Sequence, residues 1–187
     1  MKIAVTGGIG SGKSYFCRLL ADYGIGVYDC DAGAKRLMAH SERLQEKLRR
    51  LVGEGVYIDH VLQKSVLAQF LLASEDNKLA VDEIVHPAVA ADFLSSGLDW
   101  LESAILFDSG FCRRVHFDKI VCVSAPLEVR IRRVMERDGI SRAGAMEWIG
   151  RQMAQQEVEK RSNYVVVNDG RDLHRQIIEL LKQINDK

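Results

Sequence analysis

Residues 3 to 14 read Ile3-Ala4-Val5-Thr6-Gly7-Gly8-Ile9-Gly10-Ser11-Gly12-Lys13-Ser14, and the chain continues into a helix-like stretch, Tyr15 to Ala21. Positions 7 to 14 satisfy the pattern G-x-x-x-x-G-K-[ST] in full, between a short apolar run and a helix start. That order, strand then glycine-rich turn then helix N-terminus, aims successive backbone N–H groups at one point. The helix dipole adds about half a positive charge there. The glycines allow positive φ and let the backbone approach a ligand without a Cβ in the way. Lys13 has the reach for the β- and γ-phosphates, and the Ser14 hydroxyl is a ligand for Mg²⁺. The stretch therefore predicts a nucleoside triphosphate site.

Outward from the loop, strands and helices alternate, which predicts an α/β fold: a parallel sheet in a three-layer arrangement, flanked by helices on both faces. The expected strands are Lys2 to Thr6, Ile25 to Tyr28, Leu101 to Phe107, Lys119 to Ser124 and Tyr164 to Val167. One long helix carrying Leu37, Leu44, Leu48 and Leu51 is expected after the second strand, closed by Gly53 and Gly55. Residues 60 to 96 read as further helix in two or three pieces, with Pro87 breaking or starting one of them. Within a single domain spanning 1–187, residues of about 35–96 thus form a helical insertion without strands. Helices are also expected over Leu127 to Arg137 and, after Gly139, over Ser141 to Lys160, with an amphipathic terminal helix around Leu173 to Ile184.

The bulk properties narrow the class. A chain of 187 residues buries roughly 70% of its unfolded surface, so neither disulfides nor a structural metal is required. The 26 acidic and 26 basic residues cancel, which argues against extended nucleic-acid or membrane binding. Cys17, Cys30, Cys112 and Cys122 form no C-x-x-C pair and no metal-ligand spacing, and read as reduced thiols. The first strand begins at once after Met1, leaving no room for a signal peptide, and no apolar run has membrane-span length. These features predict a cytoplasmic protein.

In open parallel sheets ligands lie beyond the carboxyl ends of the strands. Four features are expected there: the loop, Asp29 with Asp31, Asp108, and Asn168-Asp169-Gly170. Phosphoryl transfer needs an acidic group that accepts or orients the proton of the acceptor hydroxyl. Asp31 suits that role and Asp29 suits a helix cap. Asp108 follows the apolar run Ala104-Ile105-Leu106-Phe107, so it reads either as an acid beside Mg²⁺ or substrate or as an ordinary strand end. Arg130, Arg133 and Arg137 share one helix face. Arg133 and Arg137 read as part of a basic lid of about 133–160 that closes over the triphosphate, and Arg130 reads as surface.

The ordered set of motifs resembles the dephospho-coenzyme A kinase family across nearly the whole chain. The carriers are Thr6 to Ser14, Asp29-Cys30-Asp31, Lys35, His86-Pro87, Leu106-Phe107-Asp108, Arg133-x-x-x-Arg137-Asp138, Gln152 and Asn168-Asp169-Gly170. The resemblance implies a P-loop NTPase-type kinase fold with a helical substrate-binding insertion and a helical lid. It implies transfer of the ATP γ-phosphoryl group to the ribose 3′-hydroxyl of dephospho-coenzyme A, with Mg²⁺ held at Ser14. The implied catalytic residues are Asp31, Lys13 and Arg137. The implied nucleotide contacts are Gly8, Gly10, Ser11, Gly12, Lys13, Ser14, Tyr15, Arg133, Asn168 and Gly170, and the implied acceptor contacts are Asp31, Lys35, His86 and Asp108. The partners implied are small molecules, not nucleic acid or membrane. The nearest alternative is another small-acceptor kinase, of the nucleoside monophosphate or shikimate type. A guanine-specific switch is excluded because Asn77-Lys78-Leu79-Ala80 lacks the aspartate that such a motif requires.

Overall fold

The computed structural model describes residues 1–185. Its central sheet has five strands: β1 (Ile3–Thr6), β2 (Val27–Asp29), β5 (Trp100–Glu102), β6 (Lys119–Ser124) and β7 (Tyr164–Val167), in the order β2-β5-β1-β6-β7. β1 pairs in parallel with β5 and β6, and β6 in parallel with β7. The strand that leads into the glycine loop is therefore central, and its four residues are all buried.

Alternation along the strands separates the two faces. Ile3, Val5, Val121, Val123 and Val166 pack in one cluster with Phe16 and Leu20 of α1 (Lys13–Ala21) and with Ile177, Leu180 and Ile184 of α9 (Leu173–Asn185). A second cluster joins Ile131 and Val134 of α6 (Leu127–Asp138) to Ala145 of α7 (Arg142–Gly150), with Ile9 of the loop packed against it. Ile9 thus anchors the loop crest to α6 and α7 through apolar contact.

The chain divides into two compact units, Met1–Tyr28 with Leu98–Lys187, and Asp29–Gly97. The second contains α2 (Cys30–His40), α3 (Glu42–Val52), α4 (Lys64–Ala73) and α5 (Glu75–Ser95). It also holds the hairpin β3 (Tyr57–Ile58) and β4 (Val61–Leu62).

Several sequence expectations are corrected here. The long helix after β2 is two helices, because the Ser41 side chain accepts from Leu44 N–H and starts α3 afresh. The insertion expected to lack strands has the β3–β4 hairpin, whose two-residue strands are too short to show a period of two. Its turn residues, Asp59 and His60, both have positive φ (48° and 63°), the form of a two-residue hairpin turn usually built on Asn-Gly. Gln45, itself buried, lies 3.3 Å from His60 Nδ1 and steadies that turn. Pro87 neither starts nor ends a helix but lies inside α5. The lost hydrogen bond is tolerated because Val81, Val85, Val89, Ala90 and Phe93 bury the helix on both sides of it.

No helix among the described residues is long and apolar enough to cross a membrane. The N-cap of α4 is Gln63, whose side chain makes no capping bond and instead donates to Val61 O. Replacing it with a short acceptor supplies the missing cap, so Gln63→Asp is expected to stabilise the fold by about 1 kcal/mol in a urea unfolding curve.

Candidate active site

The loop between β1 and α1 is held by its carbonyl groups. Gly8 C=O accepts from Ser11 N–H at 3.1 Å and from Lys13 Nζ at 3.3 Å. Ile9 C=O accepts from Arg130 Nε at 2.9 Å, and Ile9 N–H donates to Gln152 Oε1 at 2.7 Å. Gly10 C=O and Ser11 C=O both accept from Arg133 Nη1, at 3.3 and 3.2 Å. Ser11 C=O also accepts from Asn168 Nδ2 at 2.9 Å.

Because a trans peptide points its C=O and N–H in opposite directions, carbonyls held by α6 and by Asn168 turn the following N–H groups the other way. The N–H groups of Gly10, Gly12 and Ser14 have no protein acceptor among the described residues. They are the donors available to an anion, beside the helix N-terminus and the buried Lys13.

The glycines are dictated by the same packing. A methyl group on Gly8 would lie 2.2 Å from Arg130 Nη2, one on Gly10 2.6 Å from Arg130 O, and one on Gly12 2.1 Å from Asn168 Nδ2. Gly10 and Gly12 also have φ of +79° and +92°. The Ser11 hydroxyl, fully buried, has no hydrogen-bond partner among the described residues.

Ser14 Oγ donates to Glu102 Oε1 at 3.0 Å. Glu102 ends β5, and the register sets it beside Val5, one residue before β1 ends. A hydroxyl and a carboxylate in contact at a helix N-terminus are oxygen donors of the kind Mg²⁺ takes, and Mg²⁺ commonly uses few protein ligands. The residues present therefore fit the ion.

Glu102, rather than Asp108, is the carboxylate that lies against Ser14. The strand ends at Glu102, five residues sooner than expected, and the run Ala104–Phe107 is turn, with Leu106 buried and Ile105 exposed. Short apolar runs do not distinguish strand from turn by period. Asp108 is exposed, and its Oδ2 accepts from Met153 N–H at 3.3 Å.

The three arginines of α6 differ. Arg130, expected on the surface, is buried and lies against the loop. Arg133, expected to close over phosphates, spends both Nη groups on loop carbonyls and on the Asn168 C=O and Oδ1. Arg137 is exposed and pairs with Asp138 at 2.7 Å. The single helix expected from Ser141 to Lys160 is two, α7 and α8 (Gln155–Lys160), and the turn between them delivers Gln152 to Ile9.

Asn168 is buried at the end of β7, its N–H donating to Ser124 C=O at 2.7 Å. Gly170 has φ +104° with open space around it, and Tyr15 is exposed on the first turn of α1. Beneath the loop, Cys122 has its thiol pushed up to about 11, first by burial and then by Glu159.

In the helical unit Asp29 caps α2, its side chain accepting from Ala32 N–H at 2.9 Å. Asp31 is exposed on the first turn of α2, and Lys35 is exposed one turn later on the same face. His86 Nε2 lies 3.5 Å from Asp82 Oδ1, one turn earlier on α5.

Sequence reasoning missed Glu102 and Arg130. A charged residue two positions after Trp100 was a signal for Glu102, but the longer apolar run downstream competed with it. Nothing in the periodicity of α6 marked Arg130 as buried.

A sequence model of the dephospho-CoA kinase family matches residues 1–173. The dephospho-CoA kinase of Bacteroides fragilis is 41% identical, over 100% of this chain and 94% of that protein. The crystal structure of TT1252 from Thermus thermophilus is similar at a TM-score of 0.82 and 35% identity, covering 99% of this chain and 98% of that one. The shikimate kinase of Acinetobacter baumannii shares the fold alone, at a TM-score of 0.55 and 14% identity, over 98% of this chain and 92% of that one.

Two outcomes follow from the loop and its floor. Gly12→Ala places a Cβ against Asn168 in a left-handed backbone, so a stability loss of about 2 kcal/mol is expected in denaturant melts, together with loss of ATP binding. Cys122 is expected to resist iodoacetamide at pH 8 in the native protein and to react once guanidinium unfolds it, as read by mass spectrometry.

Proposed function

The chain belongs to the dephospho-CoA kinase family, and from that premise we propose that it transfers the γ-phosphoryl group of ATP to the ribose 3′-hydroxyl of dephospho-coenzyme A, giving coenzyme A and ADP, the last step of coenzyme A synthesis. The observation that carries this reading is the loop with its carbonyls turned out to Arg130, Arg133 and Asn168 and its amides turned in. Such a nest suits the β- and γ-phosphates of a nucleotide, with Lys13 leaving Gly8 C=O to join them.

Asp31 is the group proposed to orient or accept the proton of the 3′-hydroxyl as its oxygen attacks the γ-phosphorus and the bond to ADP breaks. Its carboxylate is exposed at the start of a helix, so no internal contact has to be broken before it can act. Lys35 and His86 in the helical unit, and Asp108, are the proposed acceptor contacts. That unit as the acceptor-binding part, and residues of about 133–160 as the lid, make up the proposed division. Closure excludes water, which would otherwise take the phosphoryl group.

Arg137 is the proposed lid cation for charge on the moving group. Its pair with Asp138 is solvent-exposed on the arginine side, and such pairs open at little cost. Arg133, Asn168 and Gly170 are proposed to border the adenine, with Tyr15 near the phosphates. Ser14, with Glu102 behind it, would hold Mg²⁺, which would supply charge neutralisation to the phosphates. The reading also implies a cytoplasmic enzyme whose partners are small molecules rather than nucleic acid.

Purified protein with ATP and Mg²⁺ is expected to phosphorylate dephospho-coenzyme A and to be inactive on AMP, CMP and shikimate. Preference for any of the latter three would replace the reading. Asp31→Asn is expected to lower kcat by a factor of about 10² to 10⁴ while leaving the ATP Kd within a few fold, measured by a coupled assay and calorimetry.

A further inference from the structure

Lys13 and Arg130 are the charged side chains buried in the described residues. Lys13 has its phosphate-binding role from the loop motif. Arg130, 4% exposed, has none assigned. Its Nε donates to Ile9 C=O, and no carboxylate among the described residues pairs with it. The Cys122 thiol near it is neutral around pH 7, because burial and Glu159 push its pKa up, and offers no counter-charge. Burial accordingly lowers the pKa of Arg130, which means that the fold pays to hold the cation there. An arginine still keeps its proton at neutral pH.

A buried cation without a counter-ion is costly to keep, and a hydrophobic replacement at such a place often does no harm to stability. Its position states what it is kept for. The guanidinium lies directly on Gly8, where even a methyl group would collide with Nη2, and its Nε fixes the Ile9 carbonyl. The peptide that begins with this carbonyl ends in Gly10 N–H, which the trans geometry turns to the opposite side, into the nest. The preceding peptide is held from the other end, by Gln152 Oε1 on Ile9 N–H. Arg133 and Asn168 do the same for Ser11 C=O and Gly12 N–H. Arg130 also lines a cavity of 540 Å³ together with Gln152, Gln155 and Ser124.

We propose that Arg130 is a positioning residue for nucleotide binding: it holds the Ile9–Gly10 peptide so that Gly10 N–H faces the phosphates, and its unpaired charge adds to the positive field there. The polyanion supplies the counter-charge that the protein withholds. The inference rests on the kinase reading above, since it needs ATP in the loop.

The test compares Arg130→Met, which keeps bulk and loses donor and charge, with Arg130→Lys, which keeps a charge and a donor. ATP affinity is measured by calorimetry, the apo melting temperature by differential scanning calorimetry, and KM for each substrate by coupled assay. Arg130→Met is expected to melt no lower than the parent, to bind ATP at least fivefold more weakly, and to raise KM for ATP while leaving KM for dephospho-coenzyme A within twofold. Arg130→Lys is expected to recover at least half of the lost binding free energy. A weakening below fivefold in Arg130→Met, or a lysine variant as weak as the methionine one, overturns the inference. Should Arg130→Met fail to fold, Arg130→Gln carries the same expectations and the same threshold. A parent chain that does not bind ATP overturns the kinase reading itself, an outcome distinct from a parent that binds ATP as well as its Arg130 variant does.

Discussion

Everything in the candidate site depends on which way a few peptide units face. A glycine-rich loop has many conformations, and in isolation its amides would be satisfied by water or by each other. Here the carbonyls of Ile9, Gly10 and Ser11 are each taken by a side chain from another element. The N–H groups of Gly10 and Gly12, with no protein acceptor among the described residues, are the counterpart of the Ile9 and Ser11 contacts. The site is thus assembled before a nucleotide arrives, and the ordering entropy of the loop is spent during folding rather than during binding.

One helix supplies most of that order. Arg130, Arg133 and Arg137 lie on the same face of α6, yet the rise of 1.5 Å per residue separates the first from the last by about 10 Å along the axis. The first reaches the loop crest, the second bridges the loop to Asn168, and the third extends beyond both into solvent, where Asp138 holds it. Position along the helix, rather than residue type, separates the two arginines that fasten the loop from the one that lies in solvent. The glycines at 8, 10 and 12 are the complement of the same arrangement, since each gives way to a group of α6 or to Asn168.

Legibility in the sequence followed the range of the interaction. The strand–loop–helix of residues 3 to 21, β6, β7 and the terminal helix were readable because their period or motif is local. Asp29 as a helix cap was readable for the same reason, since an N-cap bonds three residues on. That Glu102 rather than Asp108 meets Ser14 was not, because an apolar run of four residues carries too little period to say where a strand ends. Nor was the passage of α5 through Pro87, which depends on the packing of Val81 to Phe93 and not on the proline.

The amino-acid sequence by itself determined that the chain makes an α/β sheet around a phosphate loop, and its ordered motifs pointed to one kinase family. Local covalent geometry suffices for this, as glycine, a β-strand period and a helix start are properties of neighbours in the chain. Only the tertiary structure decided that Arg130 lies buried on Ile9 and Gly8, that Gln152 meets the crest from the other end, and that Glu102 backs Ser14. Those contacts join residues 88 to 143 positions apart. No periodicity records them, because they exist only once β1 lies between β5 and β6.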